Sequence, residues 1–202
     1  VALVFMFLAF LAMARQRWIL LGVLAFLFLE SYHAAVILLP MAFLASAIQS
    51  IHQKSFNVRA LIAVGAGLTA ALLVSPWFPE NISYLMFHTL YKAASPQDGA
   101  SLTSLVGSEW YPASLLQFAL ENWPAHAALL AGAVALAWRR RWPAPDTWIA
   151  AGIAVLSAGM TLHAVRFAEY YIPFAILASA LAARDAFAGT STGLRVAVAA
   201  FL

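Results

Sequence analysis

Four short constellations hold most of the side chains in this chain that could bind an anion or move a proton. The first is Glu30-Ser31-Tyr32-His33, where an acid and an imidazole lie three residues apart, on one face if a helix runs through them. Ionisable groups inside a membrane segment are costly and mark a site or a relay. In a solvated turn the same residues reduce to a cap made by Glu30. The second is His163, Arg166, Glu169 and Tyr170, at offsets of 3, 6 and 7, which predicts one helix face just ahead of Pro173. A guanidinium there is shaped to grip a phosphate through two parallel N–H···O bonds. The plainer alternative is a local ion pair between Arg166 and Glu169.

The third constellation is Gly107-Ser108-Glu109-Trp110-Tyr111-Pro112. Burial against aromatic rings raises a carboxyl pKa and would suit Glu109 as a general base or acid, although Trp and Tyr are also ordinary residues of the membrane interface. The fourth is His88 and Lys92, four apart, which could present positive charge to an anionic headgroup. No P-loop, dinucleotide-binding glycine pattern or HExxH zinc motif occurs. The absence of cysteine excludes disulfides, thiolate metal sites and cysteine nucleophiles.

The elements that must position these groups follow from composition. The chain has 202 residues, 64% of them apolar and 9% charged, with mean hydropathy +0.87; a soluble domain is roughly 45 to 50% apolar. In hydrocarbon, backbone N–H and C=O groups must pair internally, which leaves helices or a closed barrel. The Leu, Ala, Val and Ile runs lack the alternation of barrel strands. The expected fold is therefore all-α: a polytopic transmembrane helical bundle with one long non-cytoplasmic loop containing a short amphipathic helix.

Apolar stretches near 1–14, 18–29, 34–48, 60–74, 124–138, 147–165, 172–183 and from 195 onward are the expected spans of a single transmembrane domain. If each crosses once, alternate separators share a side. One side then holds Arg15, Arg17, Lys54, Arg59, Arg139, Arg140, Arg141, Arg184 and Arg195, or 9 of the 11 basic residues, leaving Lys92 and Arg166 opposite. By the positive-inside rule the first set is cytoplasmic. The basic excess is thus read as topology anchors, with the bilayer as partner and no nucleic acid, in a bacterial inner membrane. The far side carries Glu30, Glu80, Asp98, Glu109, Glu121 and Glu169.

The hairpin over 18–48 is short. Crossing about 30 Å of hydrocarbon takes roughly 20 helical residues, more than either of its arms supplies. The segment 75–123 is the long loop, and its many aromatics, among them Trp77, Tyr84, Tyr91 and Trp110, argue against disorder. Within it, Ile82 to Ala94 carries Tyr84, Leu85, His88, Tyr91 and Lys92 at helical spacings, as a surface-lying amphipathic helix would, and a further short helix is expected near 113–121. Pro76 and Pro79 end the preceding span. The chain opens on Val1 within an apolar run and is read as a piece of a longer protein.

Three of these stretches, in order, resemble polytopic GT-C-type glycosyltransferases. Gly22 to Leu29, then Glu30 to His33, then Leu38-Leu39-Pro40, is similar to a hairpin of that family, except that Glu30 or Ser31 stands where the family has Lys. Ser75-Pro76-Trp77-Phe78-Pro79-Glu80-Asn81 resembles the helix exit that follows it, and Arg166-Phe167-Ala168-Glu169-Tyr170-Tyr171-Ile172-Pro173 resembles a late hairpin of the pattern Arg, aromatic, two residues, Tyr, two residues, Pro. The resemblance implies a polyprenyl-phosphate-linked sugar as donor and a lipid-phosphate contact at Arg166 and Tyr170. It also implies an acidic base, with a divalent metal, in a loop upstream of Val1.

The leading expectation is a transferase moving a sugar from that carrier to an acceptor on the non-cytoplasmic face. Arg166, His163, Lys92 or His88 would hold phosphate, and Glu109 is the candidate base within the chain. Two other classes stay open: a secondary transporter coupled through Glu30 and His33, because short, broken helices with intramembrane charge also mark transport sites, and a non-catalytic envelope scaffold subunit.

Overall fold

The structure is a computed structural model, and it describes residues 1–87 and 112–188. Every regular element among them is helical. They are α1 (Ala2–Ala14), α2 (Trp18–Ser31), a 3-10 turn (His33–Ile37), α3 (Leu38–Gln53), α4 (Arg59–Val74) and α5 (Glu80–Met86), then α6 (Leu115–Glu121), α7 (Trp123–Arg139), α8 (Pro145–His163), a second 3-10 turn (Val165–Phe167) and α9 (Ala168–Ala186). The chain divides into two compact units, Val1–Thr103 and Ser104–Leu202.

In the first unit, α2 lies against α4 and α3 against both α1 and α4. Small residues let α2 and α4 approach until their backbones touch. A Cβ added at Gly67 would sit 2.2 Å from the carbonyl oxygen of Gly22, and one added at Gly22 would sit 3.2 Å from that of Ala63. Close approach through small residues is how helices associate where no hydrophobic drive separates them from lipid. At one end of the unit, Phe5 of α1 stacks on Phe28 of α2 with centroids 5.0 Å apart, and Phe28 on Tyr32 at 6.3 Å.

The other end is held by a polar network. The buried Gln49 donates through Nε2 to the Met13 carbonyl at 2.9 Å, a second bond to an oxygen in the last turn of α1 that also accepts the Gln16 N–H at 3.1 Å. Asn57 donates its side-chain amide to Gln49 and Gln53 and receives the Arg59 N–H at the start of α4. These bonds bring the end of α1, the end of α3 and the start of α4 together. Arg15, Arg17, Lys54 and Arg59 therefore share one end of this unit.

In the second unit, α9 packs on both α7 and α8. Its buried face is narrow after Phe174: Ala175, Ala178, Ser179, Ala182, Ala183 and Ala186. Gly132 of α7 fits against it so closely that a Cβ there would lie 3.1 Å from both Ser179 Cα and Ala182 Cβ. Pro145 starts α8 at the first helical position, where its missing N–H costs nothing. Ser114 caps α6 by accepting the Gln117 N–H at 3.0 Å.

The two units repeat one backbone pattern. Each has a helix, a left-handed residue (Gln16 at φ 53°, Arg140 at φ 49°), and a second helix. One extended residue follows (Tyr32 at −162°, 121°; Ala164 at −151°, 126°), then a 3-10 turn and a third helix. No repeat of 20 to 50 residues is visible in the sequence, and this longer one is carried by backbone conformation alone.

Candidate functional site

The break between α8 and α9 is the place where the sequence predicts one continuous helix face for His163, Arg166, Glu169 and Tyr170. The structure corrects that expectation. The helix stops at His163, Ala164 is extended, Arg166 sits in the 3-10 turn and α9 starts at Ala168. An extended residue resets the rotational register, so the offsets of 3, 6 and 7 do not define one face. His163 and Glu169 are exposed, Arg166 is partly buried and Tyr170 is buried.

The break between α2 and α3 is built the same way. Glu30 is exposed in the last turn of α2, Tyr32 is extended, and His33 opens the 3-10 turn, so Glu30 and His33 do not share a continuous helix. The Ser31 hydroxyl donates back to the Leu27 carbonyl at 2.7 Å, the i−4 back-bond that serine makes inside a helix. Each break thus lays an ionisable residue on either side of one extended residue, beside backbone groups at the ends of two helices. His88, Lys92 and Glu109, and with them most of the amphipathic helix expected over 82–94, lie outside the described residues; α5 accounts for Glu80–Met86.

The exit after α4 is architectural. Asn81 reaches back through Nδ2 to the Leu72 carbonyl at 2.8 Å, so the Pro76–Pro79 turn folds the chain over the end of its own helix.

Two groupings were not legible in the sequence. Near the start of α7, His126 Nδ1 meets the hydroxyl of Tyr171, a residue 2% exposed, while Nε2 lies 3.3 Å from the Phe118 carbonyl. A carbonyl only accepts, so in the neutral ring Nε2 carries the proton and Nδ1 accepts the tyrosine O–H. The ring is satisfied on both sides and ties α6, α7 and α9 together, leaving no lone pair for a substrate or metal. The partners are 45 residues apart, and no local signal joins them.

The second grouping is at the opposite end of α9. Arg184 grips Asp146 with two bonds, Nη1 to Oδ2 at 2.7 Å and Nη2 to Oδ1 at 2.9 Å, and also donates to Asp185. Asp185 Oδ2 in turn accepts the Ala144 N–H at 2.7 Å and the Thr147 hydroxyl at 2.6 Å. Hydrogen bonding from Arg184 holds the Asp146 carboxyl below its usual range, against the opposing effect of burial. Arg139 lies over the Phe187 ring at 5.3 Å. Arg139, Arg140, Arg141 and Arg184 therefore gather at one end of this unit, with Arg166, Glu169 and Glu121 toward the other.

Among the described residues no three His, Asp or Glu side chains converge as a metal site. Comparison with protein-family models, curated proteins and solved structures finds no match to this chain. The class that fold and composition define is an all-α protein. Among the described residues two helical segments, Ala34–Gln53 and Val165–Ala186, are long and apolar enough to cross a membrane, and α1, α2 and α4 are shorter apolar helices.

Proposed function

We propose that this chain is the membrane part of a GT-C-like glycosyltransferase, moving a sugar from a polyprenyl-phosphate carrier to an acceptor on the non-cytoplasmic face of a bacterial inner membrane. The observation that carries the reading is the position of Arg166: a partly buried guanidinium in the break before α9, at the end of its unit away from the arginine cluster. The separation of basic residues from Glu30 and Glu169 within each unit supports a polytopic arrangement with the basic ends cytoplasmic. So do outward-facing apolar side chains such as Ile19, Ile62, Leu130 and Val155, all more than half exposed, because a helix apolar all round belongs in a core or in lipid. At about 1.5 Å per residue, the 14 residues of α2 extend about 21 Å, less than the hydrocarbon thickness of about 30 Å; the return arm is longer than the sequence suggests, because the 3-10 turn and α3 together, Ala34–Gln53, are long enough to cross.

In this reading Arg166, with Tyr170 beside it in the chain, holds the carrier phosphate by charge-assisted hydrogen bonds. His163, His88 and Lys92 add positive or hydrogen-bonding character around the headgroup, and Glu169, Glu30 and His33 belong to the same side of the membrane. Transfer forms the bond from the acceptor oxygen to the anomeric carbon and breaks the bond from that carbon to the phosphate oxygen. A base takes the hydroxyl proton, and Glu109 is the candidate within this chain. A divalent metal, where one serves, would be held by residues other than those described. Full-length protein with Arg166→Ala should bind polyprenyl phosphate more weakly than the wild type in an equilibrium binding titration, and undiminished affinity would count against the reading.

The backbone pattern shared by the two units favours a second reading, a secondary transporter, since internal structural repeats and broken helices are features from which such proteins are built. Coupling would run through Glu30 and His33. Substrate flux into liposomes driven by a proton gradient should then fall about ten-fold or more in Glu30→Gln combined with His33→Ala, and unchanged flux would remove this reading.

A further inference from the structure

The first unit carries a groove that the transferase reading does not use. It has a volume of about 600 Å³ and runs along the line where α2 meets α4, with Trp18, Gly22 and Phe26 on one wall and Arg59, Ala66 and Ala70 on the other. Gly22 lies against Ala63 and Gly67, and the later Ala25 against Gly67, so residue numbers advance together along the two helices; α2 and α4 are parallel neighbours and both begin at the same end of the groove. The small residues that let the two backbones touch are what leaves the channel open above them.

The groove is apolar along its length and cationic at one end. Ala66 and Ala70 are exposed within it, and Arg59 stands at its mouth, exposed, its guanidinium making no ion pair or side-chain hydrogen bond with the described residues. Arg17 immediately precedes Trp18 at that mouth. Two helix N-termini also point there, adding partial positive charge. The volume lies within the range of about 300 to 1,000 Å³ usual for small-ligand sites. An apolar trough ending in an exposed guanidinium and an interfacial Trp is complementary to a hydrocarbon chain that ends in a phosphate.

We propose that this groove holds one acyl chain of an anionic glycerophospholipid from the leaflet facing the basic end, with the lipid phosphate on Arg59. The proposal rests on the membrane setting and is independent of the transferase chemistry. Lipid tails are as apolar as the groove walls, so hydrocarbon burial alone selects nothing. Selectivity for an anionic headgroup comes from Arg59, and the trough fixes where that headgroup sits.

Native mass spectrometry of the full-length protein released from detergent, with equal amounts of dioleoyl phosphatidylglycerol and dioleoyl phosphatidylcholine, reads this directly. The wild type should retain phosphatidylglycerol in preference. Arg59→Gln should reduce that preference about five-fold, the effect of one basic residue near an anionic lipid surface. Arg141→Gln, which removes the same charge in the other unit, should leave it intact. Ala66→Phe fills the trough from an exposed position and should lower retention of both lipids. Equal loss in Arg59→Gln and Arg141→Gln would reduce the effect to net charge and overturn the proposal. Conversion of a dimer to a monomer by Ala66→Phe, with lipid retention unchanged, would overturn it in favour of a second copy. A protein washed from membranes by alkaline carbonate would instead refute the membrane setting, an outcome separable from unaltered lipid preference in an integral protein.

Discussion

Gly67→Ala should destabilise the protein by about 3 kcal/mol or more, while Gly65→Ala two residues away should stabilise it by about 0.5 to 1 kcal/mol. Both glycines lie in the interior of α4, so helix propensity alone favours alanine at each. Packing separates them. A Cβ at Gly65 meets nothing within 4 Å, whereas one at Gly67 lies 2.2 Å from the Gly22 oxygen and 3.0 Å from Ala25 Cβ. The clashing atoms are backbone and a Cβ stub, neither of which can rotate away, so the two helices must separate along their contact. Thermal unfolding of the full chain in detergent, followed by circular dichroism, should show melting points moving in opposite directions. Equal melting points would mean that α2 and α4 do not touch through their backbones.

Asp185→Ala should cost about 3 kcal/mol by the loss of two strong hydrogen bonds at the start of α8. Its Oδ2 accepts the N–H of Ala144, the residue preceding the helix, and the hydroxyl of Thr147, which is 3% exposed. Without the carboxylate both donors are stranded, and Arg184 loses one of its two acidic partners. Because the Arg184 side chain is 48% exposed, its own pairing contributes little, and the cost falls on the buried Thr147 hydroxyl and the partly buried Ala144 N–H. Thr147→Val removes one stranded donor, so the double variant should be less destabilised than the sum of the singles. Denaturant unfolding of the four proteins measures the coupling. Strict additivity, or an Asp185→Ala cost under about 0.5 kcal/mol, would show that this carboxylate does not fasten α8 to α9.

The sequence reveals that the chain is helical and roughly where its helices lie, because long apolar runs without alternation leave the backbone no other way to pair. The missed boundaries have local causes. The apolar stretch begins at Thr147, yet α8 begins at Pro145, since proline at the first helical position starts a helix as readily as it ends one. The extended conformation of Ala164 has no local signal, because alanine is the best helix former. It follows from how α8 and α9 meet, and with it went the shared face of His163, Arg166 and Glu169. The His126–Tyr171 contact and the Asp146–Arg184–Asp185 lock join residues 45 and 38 apart, and Arg184 by itself reads as a topology anchor. Within each unit the described arginines other than Arg166 nonetheless gather at one end.

The role proposed for Arg166 is tested most directly by the affinity of the full-length protein for polyprenyl phosphate with that residue replaced. A guanidinium holding phosphate through charge-assisted bonds contributes about 1.5 to 3 kcal/mol, so Arg166→Ala should weaken binding about 10- to 100-fold. Arg166→Lys, which keeps the charge and loses the fork, should fall between. Circular dichroism should show both variants folded. Binding by Arg166→Ala as tight as by the wild type would contradict the assignment of a lipid-phosphate contact to the break between α8 and α9.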